Sequence, residues 1–419
     1  MIGRSKKRLH QVLRWSERYT GTDMTYLFHG GSWLLSNQIV NFVFSLLLVW
    51  VFANLLSQAV YGQYRFLITM MSLFTLASLP GMGTAIVRAV ARGNAGIIPE
   101  ATRTRLRWGI LGSLCSLVVA GYYFFAGDTT LGSLFLLIAL FVPFYESFTV
   151  AQNYYNGRKN YRSYTIVSVI RYATIITATT AAVLLHGQLF VIVAAYIGST
   201  SLINFLIYIY LVRTSHWETS NDTETIPYGK KLTGTSVLSA ISAHLDKVML
   251  WYFAGPVQVA MYTISMSLPK EITSALNNVG KLALPKMASR DKHALRESLL
   301  RKFFVFFIAT IPIYIAYIVM APLLFKLFLP QYLNTLHFSQ LAALLILFSP
   351  LVLFTQYFNA TMHVRALYIM EFIQPTVSIT LYCTLIPAYG VLGAVLAFVG
   401  KQFASLIMLL FFFVRDRAV

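Results

Sequence analysis

Two segments, WVFANLLSQAVYGQY (residues 50–64) and WYFAGPVQVAMYTIS (residues 251–265), decide the architecture. Laid on each other at an offset of 201, they match at Trp50/Trp251, Phe52/Phe253, Ala53/Ala254, Ala59/Ala260 and Tyr61/Tyr262. YYNGRKNYR (154–162) falls on YFNATMHVR (357–365) in the same way, pairing Tyr154/Tyr357, Asn156/Asn359 and Arg162/Arg365. AIVRAVAR (85–92) resembles ALPKMASR (283–290). Three matches in one order, at offsets from 198 to 203, read as an internal duplication.

What is duplicated is a set of membrane spans. The 419 residues are 57% hydrophobic and 11% charged, with a mean hydropathy of +0.66. At about 20 residues per crossing, twelve apolar segments can be drawn: 31–53, 63–85, 107–126, 131–152, 163–185, 189–212, 232–254, 258–281, 302–325, 334–358, 366–387 and 391–414. The expected class is therefore an all-α integral membrane protein. Six spans separate the copies, an even number, so both halves share one orientation. The chain then divides into a basic N-terminal segment (1–30), a six-helix bundle (31–213), a linker (214–231), a second six-helix bundle (232–414) and a short tail (415–419). Parallel repeats of this kind place a binding site near midplane between the halves.

The formal net charge of +19 does not point to nucleic acid, because no segment could fold in water as a basic domain. Of the 33 Lys and Arg residues, 27 lie in the N-terminal segment, in alternate loops and in the tail. The intervening loops, such as FAGDTT and IPAYG, carry none. The positive-inside rule puts both termini in the cytoplasm. Leu9, Val12 and Leu13, beside Lys6, Lys7, Arg8 and Arg14, suggest a short interfacial helix on anionic lipid. Cys115 and Cys383 sit in apolar runs without metal-type spacing and read as core residues. The histidines are dispersed, and no paired-carboxylate or Ser/His constellation appears. Neither an enzyme nor a metal or other cofactor is expected.

Six basic residues escape the loop pattern: Arg65 and Lys326 near outer ends, and Arg171, Lys247, Lys270 and Lys401 within spans. An ionised side chain near the bilayer centre costs roughly 2.5–3.5 kcal/mol or more, so each needs a reason. At 100° per residue, Thr263, Ser267, Lys270, Ser274, Asn277 and Lys281 share one face of the eighth span. A polar stripe that long lines either water or another helix. Lys270, midway along it, is the leading substrate-binding candidate, with Ser267, Ser274 and Asn277. Thr235, Ser239, Ser242 and Asp246 form a similar stripe on the seventh span. Asp246 is expected to look inward towards Lys270. Its neighbour Lys247 points about 100° away, to the cavity edge or to the outer interface. Lys401 lies on a small-residue face, and Arg171 meets either a phosphate, as a bidentate donor, or headgroups. Glu146 and Glu371 sit near cytoplasmic ends. Asp246 and Glu271 are the candidates for binding H⁺ or Na⁺.

The stretch from Leu238 to Met287 resembles the seventh and eighth spans of polysaccharide-biosynthesis flippases. It carries Asp246-Lys247, Phe253-Ala254-Gly255, Val259-Ala260-Met261-Tyr262 and Pro285-Lys286-Met287, and the first half has Tyr61-Gly62-x-Tyr64 and Gly81-x-Gly83 before Arg88. The resemblance covers nearly the whole chain and is specific at the level of the multidrug/oligosaccharidyl-lipid/polysaccharide exporter superfamily, which includes Wzx-type O-antigen flippases and MATE exporters. It implies a MATE-like V shape in the bacterial inner membrane. The implied substrate is an undecaprenyl-pyrophosphate-linked oligosaccharide, moved to the outer leaflet by alternating access. A glycan polymerase and a chain-length regulator are the implied protein partners. Two rivals stand beside it: a cation-coupled drug antiporter, and a non-transporting scaffold of a glycan assembly complex.

Overall fold

The computed structural model describes residues 24–215, 217, 222–281, 292–361 and 363–415. The expected interfacial helix near residues 6–14, the ALPKMASR copy and most of the short tail lie outside the described residues. The first half runs through α1 (Met24–Leu55), α2 (Gln58–Phe74), α3 (Gly81–Ala91), α4 (Ile98–Phe125), α5 (Thr129–Ser147), α6 (Val150–Gly157), α7 (Tyr161–Leu185) and α8 (Leu189–Thr214). The second runs through α9 (Thr225–Ala254), α10 (Pro256–Lys281), α11 (Lys292–Phe328), α12 (Leu336–Ala342), α13 (Leu345–Phe348), α14 (Val352–Ala360) and α15 (Val364–Arg415). The order repeats, down to the short helix before the last two spans. The duplicated residues behave alike: Tyr61 and Tyr262 are both fully buried, as are Tyr154 and Tyr357 within a few per cent.

All twelve expected spans fall on helical segments, and their departures from ideal helices have physical causes. By length and apolarity alone, eight helical stretches among the described residues could cross a membrane, with a bent ninth. One of the eight holds two spans. As a straight rod, the 52 residues of α15 would reach about 78 Å, far beyond a hydrocarbon core of about 30 Å. The chain instead reverses at Gly390, whose φ of +54° suits a residue without Cβ. The two arms then run so close that a Cβ on Gly393 would lie 2.0 Å from the Leu385 carbonyl oxygen. The two spans that fail the apolarity test are α9 and α10, long enough at 30 and 26 residues but diluted by their polar stripes. Elsewhere Phe304, Val305, Ile308, Val319 and Leu323 of α11 stand exposed, the ordinary outer surface of a helix in hydrocarbon.

The bent span is α2–α3, which turns by 50°. The break frees backbone groups that water would satisfy in a soluble protein. Here Arg105 of α4 takes over: its Nε donates to the Ser78 carbonyl at 3.0 Å, Nη1 to Thr149 Oγ1 at 3.1 Å and Nη2 to Glu146 at 3.1 Å. Only 1% of Arg105 is exposed. Read from sequence as one of five loop arginines, Arg105 is a buried tie joining the kink to α4 and the end of α5. Glu146 is therefore its counter-ion rather than a plain interface residue.

The halves meet where α2 and α3 pack along α9 and α10. At the end away from the basic loops, Trp251 of α9 stacks on Phe66 at 4.1 Å and 6°, and its Nε1 donates to Tyr123 at 3.2 Å. Gly62 touches Pro256 there so closely that a Cβ would sit 1.8 Å from the Pro256 carbonyl oxygen. At the basic end, the Gly81 amide donates to Thr233 at 3.1 Å and Arg88 covers Tyr228 at 4.7 Å. Asp222 accepts from the amides of Glu224 and Thr225, both at 2.9 Å, and from Thr225 Oγ1 at 2.7 Å, which caps the first turn of α9. Asn94 of the other half reaches the same carboxylate at 3.4 Å. Partial desolvation works to raise the Asp222 carboxyl, but the bonds from Thr225, Glu224 and Asn94 outweigh it and hold it below its ordinary value.

Two tests follow from this seam. Gly62→Ala should lower the melting temperature of the purified protein, by the roughly 1–3 kcal/mol typical of overpacking. Gly121→Ala, where a Cβ meets nothing within 4 Å, should leave it unchanged or higher. Because folding depresses the Asp222 carboxyl, its stabilisation is present above the unfolded value of about 3.9. It is lost as pH falls through the lower folded value. Hydrogen exchange at the Glu224 and Thr225 amides should accelerate beyond the intrinsic trend as pH falls below about 4, and Asp222→Asn should remove that pH dependence.

Candidate functional site

Polar residues of α9 and α10 converge in mid-span. Asp246 is buried, with 1% exposed. Its Oδ2 accepts from the Tyr262 hydroxyl at 2.7 Å, and its Oδ1 from the Lys247 amide at 2.8 Å. The Lys247 ammonium also lies 3.6 Å from Oδ1. The expectation that these two neighbours make separate contacts is corrected: the long lysine stem bends back across the 100° between them. Lys270 is not the ion-pair partner of Asp246. Its Nζ stands 4.5 Å from the centroid of the Phe398 ring and 5.7 Å from that of Tyr262. Tyr262 therefore joins the two, binding Asp246 with its hydroxyl and meeting Lys270 with its ring.

Three more cations act on Lys270 at electrostatic range: Lys247, Arg65 and Lys401, with Asp246 the acid among them. Arg65 is a correction. Read as lying near an outer end, it sits two turns inside α2, about 10 Å along the helix. Its buried Nε has no hydrogen-bond partner. Lys401 approaches the Phe398 ring from the other side, at 5.9 Å. The remaining span acids are engaged elsewhere. Glu146 pairs with Arg105, exposed Glu371 accepts from Ser239 at 3.3 Å, and Glu271 accepts from Ser45 of the first half at 3.1 Å. Locally, Lys270 feels three other cations and one carboxylate.

Below Lys270, towards the basic loops, lies a cavity of about 230 Å³ lined by Lys270, Ser274, Asn277, Asn278, Phe398 and Gln402, together with Thr273 and Leu345. The lower part of the stripe on α10 thus lines this cavity. Higher up, Thr263 and Ser267 donate to carbonyls of their own helix, Val259 and Ile264, each at 2.7 Å. The structure does not bring Arg171 into this cluster. On α7, Arg171 covers Tyr172 at 4.9 Å, which stacks on Phe44 at 6.3 Å, and its buried Nε is also without a partner. The side chain of Lys281 lies outside the described residues. Sequence reasoning missed Arg65, Phe398 and Gln402. Phe398 is three residues before Lys401, the spacing of helical neighbours, and was legible; Gln402 becomes visible only when α15 is placed against α10.

The fold has known counterparts. A lipid II flippase, MurJ, in an inward closed conformation superposes with a TM-score of 0.69 at 16% identity, covering 92% of this chain and 87% of that one. An inward-facing multidrug resistance MATE family transporter of the MOP superfamily gives 0.64 at 14% identity, covering 91% and 95%. A MATE protein in the straight conformation gives 0.60 at 14%, covering 91% and 94%. At these identities the likeness is one of fold. No curated protein sequence matches the chain. The polysaccharide biosynthesis protein family matches residues 27–279, more than half of its length. A twelve-span duplicated bundle, with a cationic centre and that signature along it, belongs to the polysaccharide biosynthesis protein family.

Proposed function

We propose that this protein is a flippase that moves an undecaprenyl-pyrophosphate-linked oligosaccharide, the repeat unit of an O-antigen, capsule or exopolysaccharide. The direction is from the cytoplasmic to the outer leaflet of the bacterial inner membrane, with the basic loops and both termini in the cytoplasm. The observation that carries this reading is the excess of cations at the seam: Lys270 rests on the Phe398 and Tyr262 rings within electrostatic range of Arg65, Lys247 and Lys401, with Asp246 the one acid acting on it. Four charged groups in mid-span with one counter-ion are costly, and a visiting anion relieves that cost. A pyrophosphate supplies several oxygens, which suit both the lysine point charges and the unpartnered Nε of Arg65. The polyprenyl tail needs no protein groove, since lipid solvates it.

Transport then proceeds by rocking the halves about the seam. Asp246 already accepts from Tyr262 and Lys247 and serves best as a fixed counter-charge. Among the described residues Glu271 has one donor, Ser45, on the opposite half. It is the better candidate to take up H⁺ or Na⁺ as the halves part. A drug antiporter for cations would call for an acidic cavity, the opposite of the charge balance here.

Replacing Lys270 by Gln removes a charge-assisted contact worth about 1.5–3 kcal/mol, so glycan export should fall by about ten- to a hundred-fold at unchanged protein level. Export at the parental level would remove Lys270 from the head-group site. A deletion strain should accumulate lipid-linked oligosaccharide on the cytoplasmic leaflet; its absence there would favour a scaffold.

A further inference from the structure

Lys270 divides its surroundings by chemistry. Around and above it are the charged groups; below it, the cavity walls carry amides, hydroxyls and two apolar side chains. From Lys270 to Asn278 the α10 wall extends about 12 Å along the axis, and Gln402 reaches in from the second arm of α15. Neither Asn277 nor Gln402 makes a side-chain hydrogen bond among the described residues, so both amides are open to the cavity.

We infer that this cavity is the subsite for the first sugar of the lipid-linked head group, and that it takes an uncharged N-acetylated sugar. The inference rests on the flippase reading, which places the pyrophosphate at the four cations. The volume of about 230 Å³ falls below the roughly 300–1,000 Å³ of drug-sized pockets, so it admits one ring rather than an oligosaccharide. Asn and Gln amides both donate and accept, and so do sugar hydroxyls and an acetamido group. The Thr273 hydroxyl already donates to the Pro269 carbonyl at 2.8 Å, leaving its lone pairs as acceptors. Phe398 and Leu345 offer apolar surface for the acetamido methyl and the C–H face of the ring. A uronic acid is poorly served, because Lys270, at the rim, is the single cation lining the cavity among the described residues. The phosphates compete for it.

The test uses the purified full-length protein in nanodiscs and three probes: undecaprenyl pyrophosphate without sugar, with one N-acetylglucosamine, and with one glucuronic acid. The N-acetylglucosamine lipid should bind at least about tenfold more tightly than the bare lipid, as expected where buried polar groups are left unmatched by the poorer ligand. Asn277→Leu combined with Gln402→Leu should bring that ratio to within about twofold of one. Equal affinity for the bare and N-acetylated lipids in the parent protein would overturn the assignment, and so would preference for the glucuronic acid lipid. A ratio that survives the double substitution would overturn it as well. Failure of all three lipids to bind would instead overturn the flippase reading. If the double variant does not fold, the three-lipid comparison on the parent protein decides alone.

Discussion

One buried carboxylate organises the charges of this protein. Asp246 sits in the middle of a membrane-spanning helix, where an unpaired ion would cost several kcal/mol. It is satisfied by the Tyr262 hydroxyl and the Lys247 amide, with the Lys247 ammonium close by. Those contacts fix the Tyr262 ring, and that ring with Phe398 forms the platform on which Lys270 rests. A desolvated cation over an aromatic face gains about 2 kcal/mol, which helps to hold the lysine in place. Asp246 therefore neutralises one cation of the group and positions another. On the proposed function, the remaining positive charge is left for the head group.

The helices that carry this arrangement are also those that join the halves. α9 and α10 are the least apolar spans because their polar faces meet one another, the cavity or the first half, and seldom lipid. Their partner α2–α3 is broken, and the break is kept dry by Arg105 binding the Ser78 carbonyl. Such a span has a fixed kink rather than a loose joint. The contacts across the seam differ at its two ends. Trp251, Phe66 and Pro256 pack tightly at one, whereas Asp222, Asn94, Arg88 and Tyr228 make polar and cation–π contacts at the other. Packed aromatic contacts exchange with lipid at little cost, and exposed polar ones exchange with water, so both ends can open without stranding a buried charge.

Much of the fold was legible in the chain, because span length, loop charge and the duplicated Trp-x-Phe-Ala segment are one-dimensional signals. The site was legible only in part. Facing at 100° per residue found Lys270, Ser274 and Asn277 because they lie on a single helix. The same rule misjudged Asp246 and Lys247, since it describes Cβ directions and not the reach of a four-carbon stem. Arg65 was missed because depth in the membrane depends on where α2 begins, at the Ser57 cap, and not on where the hydrophobic run looks longest. The balance of charge could not be read at all. It depends on Glu146 being claimed by Arg105, Glu271 by Ser45 and Glu371 lying exposed, three facts of tertiary packing.

The central claim is that Lys270 and the cations near it, Arg65, Lys247 and Lys401, hold the phosphates of a lipid-linked head group. A cryo-EM map of the protein with undecaprenyl pyrophosphate tests it most directly. The account predicts diphosphate density within hydrogen-bonding distance of Lys270 and Arg65, with Lys247 and Lys401 alongside. Density seated on Arg171 and Tyr172 instead, with the Lys270 cluster empty, would contradict it.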